Sequence, residues 1–226
     1  MRRWMAWLAL GLLAVPCGAE EIGNALRVRQ EVRGYGVGEQ EREIREHDPI
    51  ERGLKVFLRG LSPYLKVAFN WGGCKILAGS QDHQFTGTAS LAGLSEVDFG
   101  DPNDPKASKI GLALGKLHLN LFREAGCHVD VETPHAIIMV KGTSLRVLVD
   151  PAVGTFVAVD EGTVSVQAKA GGKPVDVTAG NWVLVPPGGL PTRPAPLPPG
   201  DDDEILQDPP LLGCCSQIEP RKPPSH

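Results

Sequence analysis

Aromatic residues are scarce, 5% of 226 residues, so any core must be built from Val, Leu, Ile and Ala, within a hydrophobic content of 42%. Positive charge is not in excess: 23 Lys and Arg stand against 27 Asp and Glu, a net charge of −4. That balance speaks against nucleic acid as a partner, because displacing counterions from phosphates needs a basic face. No Cys-x-x-Cys spacing occurs, which excludes thioredoxin-like and zinc-ribbon readings. There is no Gly-x-Ser-x-Gly elbow, no P-loop and no Gly-x-Gly-x-x-Gly opening a helix. Ser144, in Gly142-Thr143-Ser144, has no base partner evident in the sequence, and Gly34-Tyr35-Gly36-Val37-Gly38 reads as a flexible turn. No catalytic residue and no cofactor is expected, and the chain reads as a non-enzyme.

The longest apolar stretch, Trp4 to Val15, has 12 residues. A bilayer span needs about 20. Arg2 and Arg3 precede this stretch, Pro16 ends it, and Cys17-Gly18-Ala19 supplies small residues before Glu20. That is the layout of a secretory signal peptide over residues 1–19, cut after Ala19. Lipidation of Cys17 is the competing reading. Either one places the chain outside the cytoplasm, in the periplasm or at the cell surface, with no membrane span after processing.

Export permits disulfides. Cys74 and Cys127 fall within the region expected to fold and form a candidate disulfide; two buried thiols are the alternative. Cys214 and Cys215 are adjacent, in a Pro-rich segment.

Gly and Pro are abundant, 27 and 20 residues, which favours turns over long helices. Leu54–Leu58 and Leu65–Phe69 read as two strands bounded by Gly60, Pro63 and Gly72, and residues 75–78 as another. Residues 81–104, rich in Gly, Ser, Thr and Asp, read as a long loop holding a short strand or two. After Lys109, apolar and polar residues alternate in short units: Leu117 to Leu121, Val129 to Val131, Ile138 to Val140, Leu145 to Val149, Phe156 to Val159, Val164 to Val166, Val175 to Val177 and Trp182 to Val185. Period-2 alternation sends one row of side chains inward and the other outward. Turn residues such as Lys141-Gly142-Thr143 and Asp160-Glu161-Gly162 separate the units. The fold class is all-β, with solenoid, barrel and sandwich forms left open by spacing alone. A folded region over 20–185 is followed by 186–226, a segment with 12 prolines and the acidic run Asp201-Asp202-Asp203-Glu204. It reads as a disordered tail or spacer.

Two clusters invite a metal reading. Asp98, Asp101, Asn103 and Asp104 offer oxygen ligands, but without EF-hand spacing they read as turn formers. His118, His128 and His135, with Asp130 and Glu132, do not supply three converging ligands and read as surface polar residues. No metal is expected.

The segments Val131-Glu132-Thr133-Pro134-His135-Ala136, Lys141-Gly142-Thr143-Ser144-Leu145-Arg146-Val147, Val157 through Val166 with its Asp160-Glu161-Gly162-Thr163 turn, and Val177-Thr178-Ala179-Gly180 resemble, in that order, the FecR domain. The match is best over residues 129–180. The resemblance implies a twisted β-solenoid-like or sandwich-like domain in the bacterial periplasm. It gives Thr133, Pro134, Ala136, Gly142, Thr143, Gly162 and Gly180 structural roles and carries over no catalytic residue. The family's familiar members are transmembrane regulators that link a TonB-dependent outer-membrane receptor to a σ factor. The function so implied is a stand-alone exported module for protein interaction or envelope signalling. The alternative is a cell-wall or glycan-binding surface protein, tethered by its tail or by lipidated Cys17.

Overall fold

A computed structural model of the chain describes residues 20–36, 38–69, 87–100, 108–122 and 128–197. The expected signal peptide, Cys17, Cys74, Cys127, Cys214, Cys215, Asp101, Asn103, Asp104, the strand expected at 75–78 and residues 198–226 lie outside them. Among the described residues the structure is all-β, with no helix.

Four long strands form the N-terminal half: β1 (Glu21–Tyr35), then, after the short β2 (Arg42–Glu43) and β3 (Pro49–Glu51), β4 (Leu54–Phe69), β5 (Gly87–Phe99) and β6 (Lys109–Leu121). Eight shorter strands follow: β7 (Val129–Glu132), β8 (Ala136–Val140), β9 (Ser144–Asp150), β10 (Gly154–Glu161), β11 (Thr163–Ala168), β12 (Val175–Thr178), β13 (Asn181–Val185) and β14 (Ala195–Pro196). All are hydrogen-bonded into one sheet, antiparallel except where β6 meets β7.

The long strands are each interrupted midway, at matching levels. Gln30 in β1 has φ +62°, Gly60 in β4 +121°, Gly93 in β5 +68° and Gly115 in β6 +101°. Ladder register shifts at the same places, between Arg29 and Glu31, between Leu58 and Tyr64, and between Ala92 and Glu96. Such bulges bend a strand and sharpen its twist. Here they bend four neighbours together, and the sheet doubles over. Leu54, whose ladder partner is Phe99, and Phe69 are the two ends of the 16-residue β4. In a flat sheet at ~3.3 Å per residue they would lie about 50 Å apart. Instead the Phe69 and Phe99 ring centroids are 5.5 Å apart.

Two facing layers result. In one, the first half of β1, the second half of β4, the first half of β5 and the second half of β6 lie side by side, with β3 at the β1 end. β9, β10, β13 and β14 extend this layer beyond β6. In the other, the complementary halves continue through β7, β8, β11 and β12, with β2 at the β1 end. The chain branches at β6: residues 109–111 pair with β7, and 115–120 with β9. The apolar rows face inward between the layers, including Leu65, Leu117, Leu119, Leu145, Val147 and Val157 from the first and Val56, Ile110, Leu112, Val131, Ile138 and Val164 from the second, all buried. The architecture is thus sandwich-like, and it is not closed into a barrel.

Four sequence expectations change. Leu54–Leu58 and Leu65–Phe69 are halves of one strand, with Arg59–Ser62 bulging out between them. Residues 87–99, expected as mostly loop, form a 13-residue strand held between β4 and β6 on full ladders. The expected boundary at Val185 is passed: Thr192 N–H donates to Leu184 O (2.9 Å), β14 pairs with β13, and Leu197 N–H donates to Gly180 O (2.8 Å), so residues 186–197 stay on the sheet edge. Gly34 and Tyr35 of the expected glycine turn belong to β1.

Gly115 tests the bend. A Cβ there would lie 2.5 Å from Leu94 O and 2.6 Å from Ser95 Cα, at a φ that L-residues rarely adopt. Gly93 also has positive φ, but its Cβ position is open. Gly115→Ala is expected to lower stability by about 3 kcal/mol, the cost of a strained backbone with steric overlap. Gly93→Ala should cost about 1 kcal/mol. Urea unfolding monitored by circular dichroism measures both; equal losses would refute a specific requirement at Gly115.

Candidate functional site: the outer faces and the interlayer lock

The motif residues resembling FecR sit at turns and between layers. Thr133 ends the β7 ladder and points inward. Its Oγ1 accepts hydrogen bonds from Ala136 N (2.9 Å) and His135 N (3.3 Å) and lies 2.8 Å from Thr155 Oγ1 of β10. His135 Nδ1 lies 3.1 Å from the same hydroxyl. Thr133 and Thr155 are buried, and this polar group ties the β7–β8 turn in one layer to β10 in the other. Pro134 follows in the turn, where it needs no N–H donor. Gly142, Gly162 and Gly180 take φ of +59°, +85° and +76°. Thr143 Oγ1 donates to Lys141 O (3.0 Å) or Thr163 O (3.3 Å), and Gly180 N–H donates to Val159 O (2.8 Å).

The remaining candidates are scattered. His128 Nε2 meets Asp130 Oδ1 at 2.9 Å at the start of β7. Asp98 pairs with Lys55 at 3.4 Å. Among the described residues no three His, Cys, Asp or Glu side chains converge as metal ligands.

A groove of about 410 Å³ opens on the outer side of the second layer, lined by Lys55, Asp98, Lys109, Gly111, Glu132 and Lys169. Glu132 accepts from both Lys109 and Lys169, the latter at 2.7 Å. Those two lysine bonds hold its carboxyl below the usual value of 4.5. Lys55 pairs with Asp98 while Lys109 and Lys169 share Glu132, so every lysine of the groove is paired, with one positive charge in excess.

The outer side of the first layer differs. Ladder register sets Arg27, Lys66, Ser90, His118, Arg146, Ala158 and Trp182 in one cross-strand row. Beside it run Arg29, Tyr64, Ala92, Lys116, Leu148, Phe156 and Leu184. Arg29 lies over the Tyr64 ring at 5.5 Å, and Tyr64 Oη donates to Ser90 Oγ at 3.2 Å. Phe156 stacks on Trp182 at 5.0 Å. Arg146 binds Asp160 at 2.6 Å. Lys116 and Arg146 are only 5% and 3% exposed although they lie on the outward rows. Arg27, Arg29 and Lys66 form no salt bridge among the described residues. Like charges directly opposite, as Arg27 and Lys66 are, destabilise a sheet. This row therefore costs the fold something.

His118 sits in the middle of the row, half-buried. Burial chiefly pushes its pKa below 6.5; Asp160 opposes this, and Arg146 and Lys66 add to it. Contrary to the sequence reading, Ser144 does have a base beside it: His118 Nε2 lies 3.2 Å from its Oγ. Two strands whose residues are 26 positions apart bring them together, so only the β6–β9 register reveals the pair. The geometry is not that of a nucleophile, base and orienting acid. Asp160 Oδ2 approaches the same Nε2, at 3.8 Å, and leaves the other ring nitrogen unoriented.

No family model and no curated protein matches the chain. Two crystal structures of a proposed anti-sigma factor from Parabacteroides distasonis ATCC 8503 resemble it, each 16% identical with a TM-score of 0.42, over 59% and 58% of this chain and 60% and 59% of that one. The chain spans about three fifths of those proteins' length.

Removing the Thr133 hydroxyl strands two backbone donors in the interior. Thr133→Val is expected to lower stability by about 1–3 kcal/mol, while Thr133→Ser keeps most of it. Thermal unfolding of the two variants measures this; equal losses would mean that the methyl, not the hydroxyl, matters.

Proposed function

We propose that the chain is an exported, non-enzymatic FecR-like module that works by binding a protein partner in envelope signalling or regulation. The outward cationic rows of the first layer carry this reading. Arg27, Arg29 and Lys66 gather on one outer face of a chain whose net charge is −4, beside Arg146, which is paired with Asp160. Such local complementarity serves recognition and association rate more than folding. The motif that resembles FecR occupies turns and the interlayer lock, which leaves the faces available for recognition. The motif supplies the family reading, and the N-terminal layout supplies export.

The test is crosslinking of the tagged chain in living bacterial cells, with mass spectrometry of what is attached. An Arg27→Glu/Lys66→Glu variant runs beside it, with its melting temperature checked. The expected result is a small set of envelope proteins that the variant loses while staying folded. The same proteins with both chains, together with retention on purified cell-wall material, would replace this reading with wall or glycan binding.

A further inference from the structure

We infer that the bend end of the sandwich is a lipid-docking edge: the apolar side chains raised along it enter an anionic membrane surface, with Arg59 and Lys173 on lipid phosphates. This goes beyond the protein-partner reading and uses a different part of the molecule.

The apolar residues carry most of the case. Among the described residues five large apolar side chains are exposed: Leu26, Leu61, Leu94, Val153 and Leu190. Exposed apolar residues are ordinary when scattered singly. Four of these are not scattered. Leu61 and Leu94 stand in the β4 and β5 bulges, beside Gly60 and Gly93. Gly115, Val149, Thr155 and Val185 form one cross-strand row. The β9–β10 turn with Val153 and the segment after β13 with Leu190 therefore leave the sheet at the level of the bend. Leu190 lies over Gly172 of the β11–β12 turn, which closes the same edge from the second layer. From β4 to β13 there are five strand steps, a line about 24 Å long at ~4.8 Å per step.

The most exposed of the four is also the most firmly presented. Leu61 is 97% exposed, and its bulge is propped from β1: Ser62 N–H donates to Gln30 Oε1 at 3.0 Å, and that oxygen sits beside Gly60.

Charge supplies the second observation. Arg59 and Lys173 are exposed at this end and form no salt bridge among the described residues. The nearby acids are engaged. Glu31, the ladder partner of Arg59, pairs with Arg33, and Asp150 Oδ1 accepts from Ala152 and Val153 N–H. The opposite end is acidic: from Glu39 to Glu51 six carboxylates stand against Arg42 and Arg45. β2 and β3 hold that segment to the two ends of β1, away from the bend. A negative surface attracts the bend end and repels the far end.

The spacing favours lipid over protein. A stable protein interface needs a contiguous patch of about 800 Å² on each partner. Here each apolar side chain stands on its own bulge or turn. A fluid headgroup layer closes around separate tips, and each tip withdrawn from water adds to binding.

The experiment mixes the full chain with vesicles of phosphatidylglycerol and phosphatidylcholine, or of phosphatidylcholine alone, and measures co-sedimentation. Three variants run beside it, each with its melting temperature checked: Leu61→Ser/Leu94→Ser, Arg59→Gln/Lys173→Gln and, away from the bend, Leu26→Ser. The expected result is binding to the phosphatidylglycerol vesicles that weakens with salt. The leucine pair lowers affinity about tenfold or more, the cation pair lowers it about fivefold per charge removed, and Leu26→Ser leaves it unchanged. Hydrogen exchange slows on vesicles at residues 59–62 and 151–153. Absence of binding, equal binding by the leucine variant, or protection centred on residues 39–51 would overturn the inference. Dimers in light scattering that the leucine variant loses, without vesicle binding, would replace the lipid with a second copy of the chain.

Discussion

A backbone constraint at four positions underlies everything else: the strands must bend where Gln30, Gly60, Gly93 and Gly115 take positive φ. Without that shared bend, β1, β4, β5 and β6 would form a flat sheet with one apolar side open to water. With it, the apolar side closes on itself, and Phe69 reaches Phe99 from the far end of the strand that Phe99 pairs with. Burial of the apolar rows then supplies most of the stabilisation, at roughly 25 cal/mol per Å². At Gly115 the need is also steric, because a Cβ there would strike the backbone of Leu94 and Ser95.

The bend also explains the branch at β6. Once its halves lie in different layers, each needs its own neighbour, and β7 and β9 take one each. The two arms that follow are joined by buried Thr133 and Thr155 with half-buried His135 beside them, a polar lock between the layers. Doubling over leaves two outer faces with different electrostatics. One holds lysines matched to Asp98 and Glu132; the other holds cations in register from β1 to β9.

How far the sequence could be read follows from the same geometry. From Val129 to Val185 the strands are short and regular, so period-2 alternation and the turns at Gly142, Gly162 and Gly180 marked β7 to β13 closely. In the long strands the bulges change the phase of the pattern. Buried positions run Leu54, Val56, Leu58 and then Leu65, Val67, Phe69; in β6 they run Ile110, Leu112 and then Leu117, Leu119, Leu121. The switch from even to odd numbers reads as a break between strands, although it marks one strand bent at a bulge. The β5 outward row of Thr88, Ser90 and Ala92 looked like loop because small residues stand where a strand would show larger side chains. The His118–Ser144 pair and the cationic rows were hidden for a different reason: their members come from strands far apart in sequence, and only register unites them.

The most direct measurement is a nuclear Overhauser contact between Phe69 and Phe99 in a sample with ring-labelled phenylalanine, six residues in all. Single Phe→Leu variants assign the signals. A sheet doubled over at the bulge line gives a strong Phe69–Phe99 cross-peak together with the β4–β5 ladder contacts. The same ladder contacts without that cross-peak would mean a flat or differently folded sheet, and the two-layer structure and both of its outer faces would fall with it.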